Sequence, residues 1–280
     1  MGFTVEEVAA YRERGFISGP KVLSDEQILC LKRRFDDVIH GRVSDFPFDL
    51  RGPAPAAKGN LKAVKMVNVM RHDPVFRDVL LVNLAISILA HDLLEGPVRV
   101  WQDQAIMKAP HDTTTSLAWH QDYVYNDQIL PSEWCTCWIA IDDAFEANGC
   151  MKMIAGSHRW PVSYSRDQVD ANDMEWLLRR PDIPAGADLT PVSIEVKAGH
   201  CHFHHCKVFH GSYGNSTNNP RRSYIPILIS GNTVKAKEDW NPRRQASIER
   251  FAVGEVIQGP DFPELARPLS VHSHWVAGQS

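Results

Sequence analysis

From Val98 onward, short apolar runs rich in β-branched and aromatic residues alternate with clusters of turn-forming residues. Runs of this kind are typical of antiparallel β-sandwiches and barrels, whereas α/β folds alternate their strands with longer helices. The pattern therefore predicts a mainly β fold without βαβ units. The runs span residues 98–108, 117–125, 134–142, 151–154, 192–197, 201–209 and 222–230.

The part of the chain before these runs has helical patterns. Thr4-Val5-Glu6-Glu7 and Ser24-Asp25-Glu26-Gln27 are capping boxes, whose first and fourth residues cap each other's backbone N–H groups. Apolar residues at helical spacing follow the second box as far as Gly41. A further helical stretch, with one break, runs from Asp73-Pro74 to about Leu94. The N-terminal part is therefore predicted to be helical.

We expect a single domain over residues 1–280, with helices in 1–96 and the β core in 97–280. Leu61 to Met70 alternates as a strand would. The segments that fit neither pattern are the loop at 42–60, the loop-rich end at 233–280, and a polar insert at about 161–190 with a short helical pattern at Asp173 to Arg180.

Charge and composition limit the class of protein. A formal net charge of −4 gives no reason to expect nucleic acid or an anionic membrane as partner. No apolar run approaches the roughly 18 residues that span a bilayer. Because the first residues lack a basic, signal-type apolar segment, we expect a cytoplasmic protein. The six cysteines of so long a chain indicate reduced, mostly structural thiols.

Trp119-His120-Gln121-Asp122-Tyr123 contains the one His-x-Asp of the sequence. In an extended strand, residues two apart project to the same side, so His120 and Asp122 can bind one metal ion. A third ligand from later in the chain would complete the 2-His-1-carboxylate triad, which binds Fe(II) and leaves coordination positions open. The pair alone is weak support, because a plain surface strand would also account for it.

Candidates for the third ligand lie between Gly199 and Ser212. His210 ends an apolar run and precedes Gly211-Ser212, and we take it as the third ligand. A separate zinc site is the alternative, but strand alternation divides its members between two sides, whereas zinc motifs space their ligand pairs around a turn. Those members are Cys201, His202, His204, His205 and Cys206.

Arg221 follows His210 by eleven residues, within Pro220-Arg221-Arg222-Ser223-Tyr224. A guanidinium is a planar fork that holds a carboxylate through two hydrogen bonds. A ferrous triad that uses a 2-oxo acid needs such an anchor for the distal carboxylate. Together the triad and Arg221 therefore meet the needs of one chemistry.

At these motifs the chain resembles the phytanoyl-CoA dioxygenase (PhyH) family of Fe(II)/2-oxoglutarate oxygenases, over roughly residues 3 to 230. The resemblance implies a double-stranded β-helix (jelly-roll, cupin-like) core with N-terminal helices packed on it. It also implies Fe(II), 2-oxoglutarate and O2, with hydroxylation of a substrate and release of succinate and CO2. The matching segments are the His-Gln-Asp at 120–122, Trp138-Ile139-Ala140-Ile141-Asp142, Asn148-Gly149, Gly156-Ser157-His158, His210-Gly211-Ser212 and Arg221.

The resemblance also implies roles for individual residues. His120, Asp122 and His210 would hold Fe(II). A carboxylate at Asp122, where related halogenases carry Gly or Ala, argues for hydroxylation, with desaturation and ring formation as the alternative outcomes. Arg221 would pair with the distal carboxylate of 2-oxoglutarate. The other residues placed near the cosubstrate are Ser212, Trp138, Lys65, Gln104 and Ser223.

The chain departs from the family pattern at Gly199-His200, where many relatives have Gly-Asp, and at three nearby histidines. We expect those three not to touch the triad and to be packed or exposed strand residues; the alternatives are shaping the cosubstrate wall or binding a stray metal. Arg222 is expected on a solvated face, because alternation turns it away from Arg221. The three histidines are His202, His204 and His205.

The substrate is the least constrained part of the interpretation. Polar and basic groups among aromatic ones favour a small polar or anionic metabolite, although the same residues could simply pack the barrel mouth. The alternatives are a larger or carrier-bound substrate, a catalytically idle β-helix protein that binds metal or ligand, and a cupin-type enzyme with another metal. Residues expected to face the substrate are Trp119, Tyr123, Tyr125, Asn126, His158, Arg159, Gln102 and Lys108.

Overall fold

Two antiparallel sheets pack face to face in the structure, a computed structural model that describes residues 2–40, 42–43, 64–162, 183–238 and 246–266. The strands are β1 (Phe16–Lys21), β2 (Val64–Val67), β3 (Val98–Lys108), β4 (Leu117–His120), β5 (Ile129–Leu130), β6 (Cys135–Ala140), β7 (Met151–Ile154), β8 (Pro191–Ile194), β9 (His200–His205), β10 (His210–Ser212), β11 (Arg221–Ser230) and β12 (Val234–Lys235). The larger sheet has the order β1-β9-β6-β11-β3-β2, the smaller β4-β10-β7-β8, and β12 pairs with β5. The predicted mainly β class is confirmed.

Strand alternation sorts the side chains of the larger sheet between its two faces. Trp138 and Ile225 point towards the smaller sheet and pack with Met153, whereas Tyr224 joins the core beneath the helices. Because both faces are covered, every residue of β11 except Ser230 is buried. Each fully buried apolar side chain contributes roughly 1.5–3 kcal/mol to folding, so this strand is a major part of the core.

Helices cover the outer face of the larger sheet. In the described residues they are α1 (Val5–Arg14), α2 (Asp25–Ile39), α3 (Pro74–Leu81) and α4 (Leu84–Leu94). Thr4 and Ser24 each take part in a reciprocal cap with the residue three positions later, which confirms both predicted capping boxes. The rings of Phe35, Phe76 and Tyr224 pack in succession, at 5.7 and 5.2 Å between centres, and so join α2, α3 and β11.

The N-terminal part contains two strands besides its helices, of which the sequence pattern predicts one, within Leu61 to Met70. β1 pairs with β9 and β2 with β3, so this part supplies both edge strands of the larger sheet. Of the strand predicted for Leu61 to Met70, only Val64–Val67 forms in the described residues. Asn68 then adopts a left-handed conformation (φ 57°), and the chain turns into a 3-10 helix at Val69–Arg71.

Several predictions fall outside the described residues. They concern Gly41 as the end of the second helix, most of the loop at 42–60, the helical pattern at Asp173 to Arg180, and residues 267–280. The described portion of the C-terminal region contains β12 and a 3-10 helix at Ala246–Arg250.

The membrane and cysteine predictions can be compared with the described residues. There, no single helix is long and apolar enough to cross a bilayer, and α3 and α4 reach that length only as a pair bent by 57°. All six cysteines are free thiols, and all except Cys30 are buried, in agreement with structural thiols.

Candidate active site

His120, Asp122 and His210 lie together between the two sheets. β4 ends at His120, and Asp122 opens the next 3-10 turn, but Gln121 between them is extended (φ −112°, ψ 130°), so both side chains project to the same side. His210 begins β10 directly opposite His120. One ligand atom of each residue lies within 4.8 Å of the others. Asp122 Oδ1 is 3.5 Å from His120 Nε2 and 3.8 Å from His210 Nε2.

The protonation of the three residues fits a divalent metal. Nδ1 of His120 and Nδ1 of His210 each lie within 3.0 Å of the backbone carbonyl two residues earlier, so Nδ1 donates and the Nε2 lone pair is left for a ligand. Burial lowers the pKa of His210 to about 3. Burial acts to raise the pKa of Asp122, but His210, His120 and His204 together hold it well below its usual value. Two imidazole nitrogens and an anionic carboxylate are the donor set of a ferrous facial triad.

The triad lines a cavity of about 540 Å³ between the sheets. Ligand sites in proteins are commonly concave and of this size. Eleven of the residues predicted for the site line this cavity. They are His120, Asp122, His210, Arg221, Ser212, Trp138, Lys65, Gln104, Gln102, Tyr125 and Asn126.

Arg221 presents unused hydrogen-bond donors to this cavity. It is 2% exposed, and its Nε and Nη1 have no partner among the described residues. Its guanidinium lies 5.3 Å from the centre of the Trp138 ring. Burial lowers its pKa to about 10, so it remains charged at neutral pH. A buried cation with free donors is costly unless an anion joins it, and the planar fork fits the carboxylate of a 2-oxo acid.

Two predicted contact residues lie behind the cavity wall. Lys108, predicted to face the substrate, is buried; its Nζ donates to Ser212 Oγ at 2.7 Å and to the carbonyl oxygen of Tyr213. Ser223, predicted near the cosubstrate, donates a hydrogen bond from its Oγ to the carbonyl oxygen of Ile106, at an O···O distance of 3.4 Å. Lys108 thus supports Ser212, and Ser223 connects β11 to β3.

Four other residues predicted to face the substrate point elsewhere. Trp119 precedes His120 and so faces the opposite side of β4, where it joins a buried apolar cluster. Tyr123 packs against another apolar cluster. His158 and Arg159 donate to backbone carbonyls near the C-terminal end of α1. None of these four residues lines the cavity.

His204 belongs to the site, although its sequence context gave no sign of it. Its Nε2 lies 3.3 Å from Asp122 Oδ2, and its ring centre is 4.7 Å from that of His210. Thr136 lies opposite His204 in the β6–β9 pair and donates to the same carboxylate oxygen at 2.8 Å. The expectation that His202, His204 and His205 avoid the triad is therefore wrong for His204. Alternation grouped His202 with His204, but only the packing of the sheets shows that this side faces the cavity.

His202, His205 and Arg222 lie away from the metal cluster. His202 is fully buried, and neither ring nitrogen has a hydrogen-bond partner among the described residues. His205 Nε2 lies 3.0 Å from a carboxylate oxygen of Glu133. Arg222 is buried and not solvated: its Nε donates to Asp142 Oδ2 at 2.7 Å. The expectation for Arg222 fails because helices, and not water, cover the outer face of β11.

The Gly-Ser-His turn supports the strand that contains His210 from behind. Ser157 Oγ donates to the carbonyl oxygen of Ile154 at 2.6 Å and accepts the backbone N–H of Phe209 at 2.9 Å. The residue before His210 is thereby tied to the end of β7. The motif thus positions the start of β10, and its histidine does not line the cavity.

Known proteins share these features. The family model for phytanoyl-CoA dioxygenase (PhyH) matches residues 11–223. "Phytanoyl-CoA dioxygenase domain-containing protein 1" of Mus musculus is 28% identical over 172 residues, which are 60% of this chain and 58% of that protein. "Ectoine dioxygenase" of Bordetella parapertussis is 27% identical over 277 residues, covering 89% of this chain and 83% of that one.

The fold likewise has solved counterparts. The non-heme alpha ketoglutarate dependent carbocyclase SnoK from nogalamycin biosynthesis superposes with a TM-score of 0.72 at 21% identity, covering 94% of this chain and 97% of that one. This likeness confirms the double-stranded β-helix core. From the family match, the chain belongs to the phytanoyl-CoA dioxygenase (PhyH) family of non-haem Fe(II)/2-oxoglutarate-dependent dioxygenases.

Proposed function

We propose that this protein hydroxylates a small polar or anionic metabolite while 2-oxoglutarate is decarboxylated to succinate and CO2. The observation that carries the proposal is one cavity that holds both the His120-Asp122-His210 cluster and the buried donors of Arg221, which have no partner in the described part of the chain. An idle binding protein would not need both groups, and an enzyme without a 2-oxo acid would not need Arg221.

Each residue has a task in this proposal. His120, Asp122 and His210 would hold Fe(II), which with 2-oxoglutarate activates O2 to oxidise a C–H bond of the substrate. Arg221 would take the distal carboxylate of 2-oxoglutarate in its fork. The remaining cosubstrate contacts that line the cavity are Ser212, Trp138, Lys65 and Gln104.

The size and lining of the cavity support a small substrate. A cavity of about 540 Å³ would hold a substrate of metabolite size beside the cosubstrate. Gln102 and Asn126 supply polar groups, and Tyr125 lies with its ring 5.6 Å from that of His120. A relative that covers most of this chain is named for ectoine, a small polar molecule.

An anaerobic titration tests the proposal. Protein loaded with Fe(II) should develop the weak visible charge-transfer band of a chelated 2-oxo acid as 2-oxoglutarate is added. After admission of air, succinate release should rise with a compound from a panel of small polar and anionic metabolites. Absence of the band from folded, iron-replete protein would remove the 2-oxoglutarate role.

A single variant distinguishes a loss of metal binding from a loss of folding. Asp122→Ala removes one of the proposed ligands, so it should lose the band and all substrate-stimulated succinate release while its circular dichroism stays unchanged. Full turnover by this variant would contradict the ligand assignment. If carrier-bound or polycyclic compounds, but no small metabolite, stimulated succinate release, the reaction class would stand and the substrate class would fail.

A further inference from the structure

The two oxygens of the Asp122 carboxylate have different neighbours. Oδ1 is the atom nearest the imidazoles of His120 and His210, at 3.5 and 3.8 Å from their Nε2 atoms. Oδ2 lies 2.8 Å from Thr136 Oγ1 and 3.3 Å from His204 Nε2. One oxygen therefore faces the metal cluster, and the other faces the larger sheet.

Both contacts to Oδ2 are donations. An ionised carboxylate only accepts hydrogen bonds. The Thr136 hydroxyl and the His204 Nε2–H must therefore each donate a hydrogen bond to it. His204 Nδ1 is buried without a partner among the described residues, which leaves Asp122 as the hydrogen-bond partner of that ring. Two donors occupy the lone pairs with which Oδ2 could otherwise bind a metal.

We propose that His204 and Thr136 are positioning residues that reserve Oδ2 of Asp122, so that Asp122 offers Oδ1 alone to the metal. The inference rests on the proposed function of the site. A carboxylate can bind a metal through one oxygen or through both. A second bound oxygen would use a coordination position that the facial triad must keep open for cosubstrate and O2.

The strand register explains why these two residues share the task. Thr136 and His204 are directly opposite in the β6–β9 pair, and both point inwards from the larger sheet. Asp122 follows β4 of the smaller sheet. The two hydrogen bonds therefore join the larger sheet to the smaller one and fix the orientation of the Asp122 carboxylate between them.

His202 provides an internal control. It lies two residues before His204 on the same side of β9, is fully buried, and makes no hydrogen bond to a described residue. Its ring centre is 5.9 Å from that of His204. His202→Leu thus removes a neighbouring buried imidazole without removing a donor to Asp122.

The test compares Co(II) binding by the full-length apoprotein and its variants, with calorimetry for affinity and visible absorption for coordination number. His204→Leu should weaken Co(II) binding about tenfold or more, the range found for partners of metal ligands, and should alter the Co(II) absorption bands. His204→Gln keeps an N–H donor near the position of Nε2 and should restore both. Thr136→Val, which conserves shape, should shift both in the same direction as His204→Leu, and His202→Leu should behave as the wild type.

These measurements decide the role independently of catalysis. Unchanged Co(II) affinity and bands in His204→Leu and Thr136→Val would overturn the proposal, as would a His202→Leu variant as impaired as His204→Leu. If His204→Leu does not fold, the Co(II) affinity and bands of Thr136→Val alone support or overturn the role. Failure of the wild type to form the 2-oxoglutarate band would reject the proposed function but would leave the Co(II) comparison valid.

Discussion

Lys108 on β3 lies directly opposite Arg221 on β11, and both basic side chains are almost fully buried. Burial, and after it the positive charge of Arg221, lower the pKa of Lys108 to about 6. At neutral pH Lys108 is therefore largely a neutral amine that holds Ser212, whereas Arg221 is charged and lines the cavity.

Lys108→Met should change how stability depends on pH. Between about pH 6 and pH 10.5 the unfolded lysine holds a proton that the folded one has lost, so wild-type stability rises with pH across this window. The variant lacks this group, so its free energy of unfolding should rise less steeply, by up to about 1.4 kcal/mol per pH unit. Urea unfolding at several pH values measures both slopes, and parallel curves would mean that Lys108 titrates normally.

Arg221→Met should act mainly on the cosubstrate. The variant loses the charged fork that would bind the distal carboxylate, so the KM for 2-oxoglutarate should rise about 10- to 100-fold. Arg221→Lys keeps a charge but not the planar fork and should show a smaller rise. Succinate release as a function of 2-oxoglutarate concentration measures the effect, and an unchanged KM in both variants would remove the proposed role.

Arg222→Met should act on stability and not on the cosubstrate. Arg222 bonds to Asp142 on the helix-covered face of β11, and its loss leaves that carboxylate, 15% exposed, with Lys32 at 2.9 Å. We expect a loss of about 2–3 kcal/mol in the free energy of unfolding and no change in the KM for 2-oxoglutarate. Lys32→Met, which removes the more exposed partner, should cost about 1 kcal/mol or less. Equal losses in the two variants would contradict this ranking.

Gly149→Ala should destabilise the protein by at least about 2 kcal/mol. Gly149 has φ +77°, and an added Cβ would lie 2.3 Å from the carbonyl oxygen of Tyr213. Gly254→Ala is the matched control, because Gly254 has φ +86° but open space around it, and only the conformational cost of about 1 kcal/mol remains. Thermal unfolding of both variants tests this, and equal losses would show that the Tyr213 contact is unimportant.

Local patterns predict much of this structure. The capping boxes at Thr4 and Ser24 predict the starts of α1 and α2, because a cap depends on residues only three apart. Apolar runs predict most strands after Val98 for a similarly local reason. Side-chain chemistry and sequence spacing predict His120, Asp122, His210 and Arg221 as site residues. In the fold, all four line one cavity.

Local patterns do not predict which side of each strand faces that cavity. Trp119, His158 and Arg159 have suitable chemistry but do not line the cavity, whereas His204 reaches Asp122. Side-chain alternation along a strand is a local property. The neighbour that each side meets is set by pairing and packing between residues far apart in the chain.

Two long-range relationships make the site. The pairing of β4 with β10 brings His210 opposite His120 across 90 residues of chain. The register of β6 with β9, together with the packing of the sheets, turns Thr136 and His204 towards Asp122. Residue identity and spacing point to the candidate ligands, but the hydrogen-bond partners of Asp122 meet it only after the sheets have paired, because hydrogen bonds of about 3 Å require three-dimensional proximity that sequence distance does not encode.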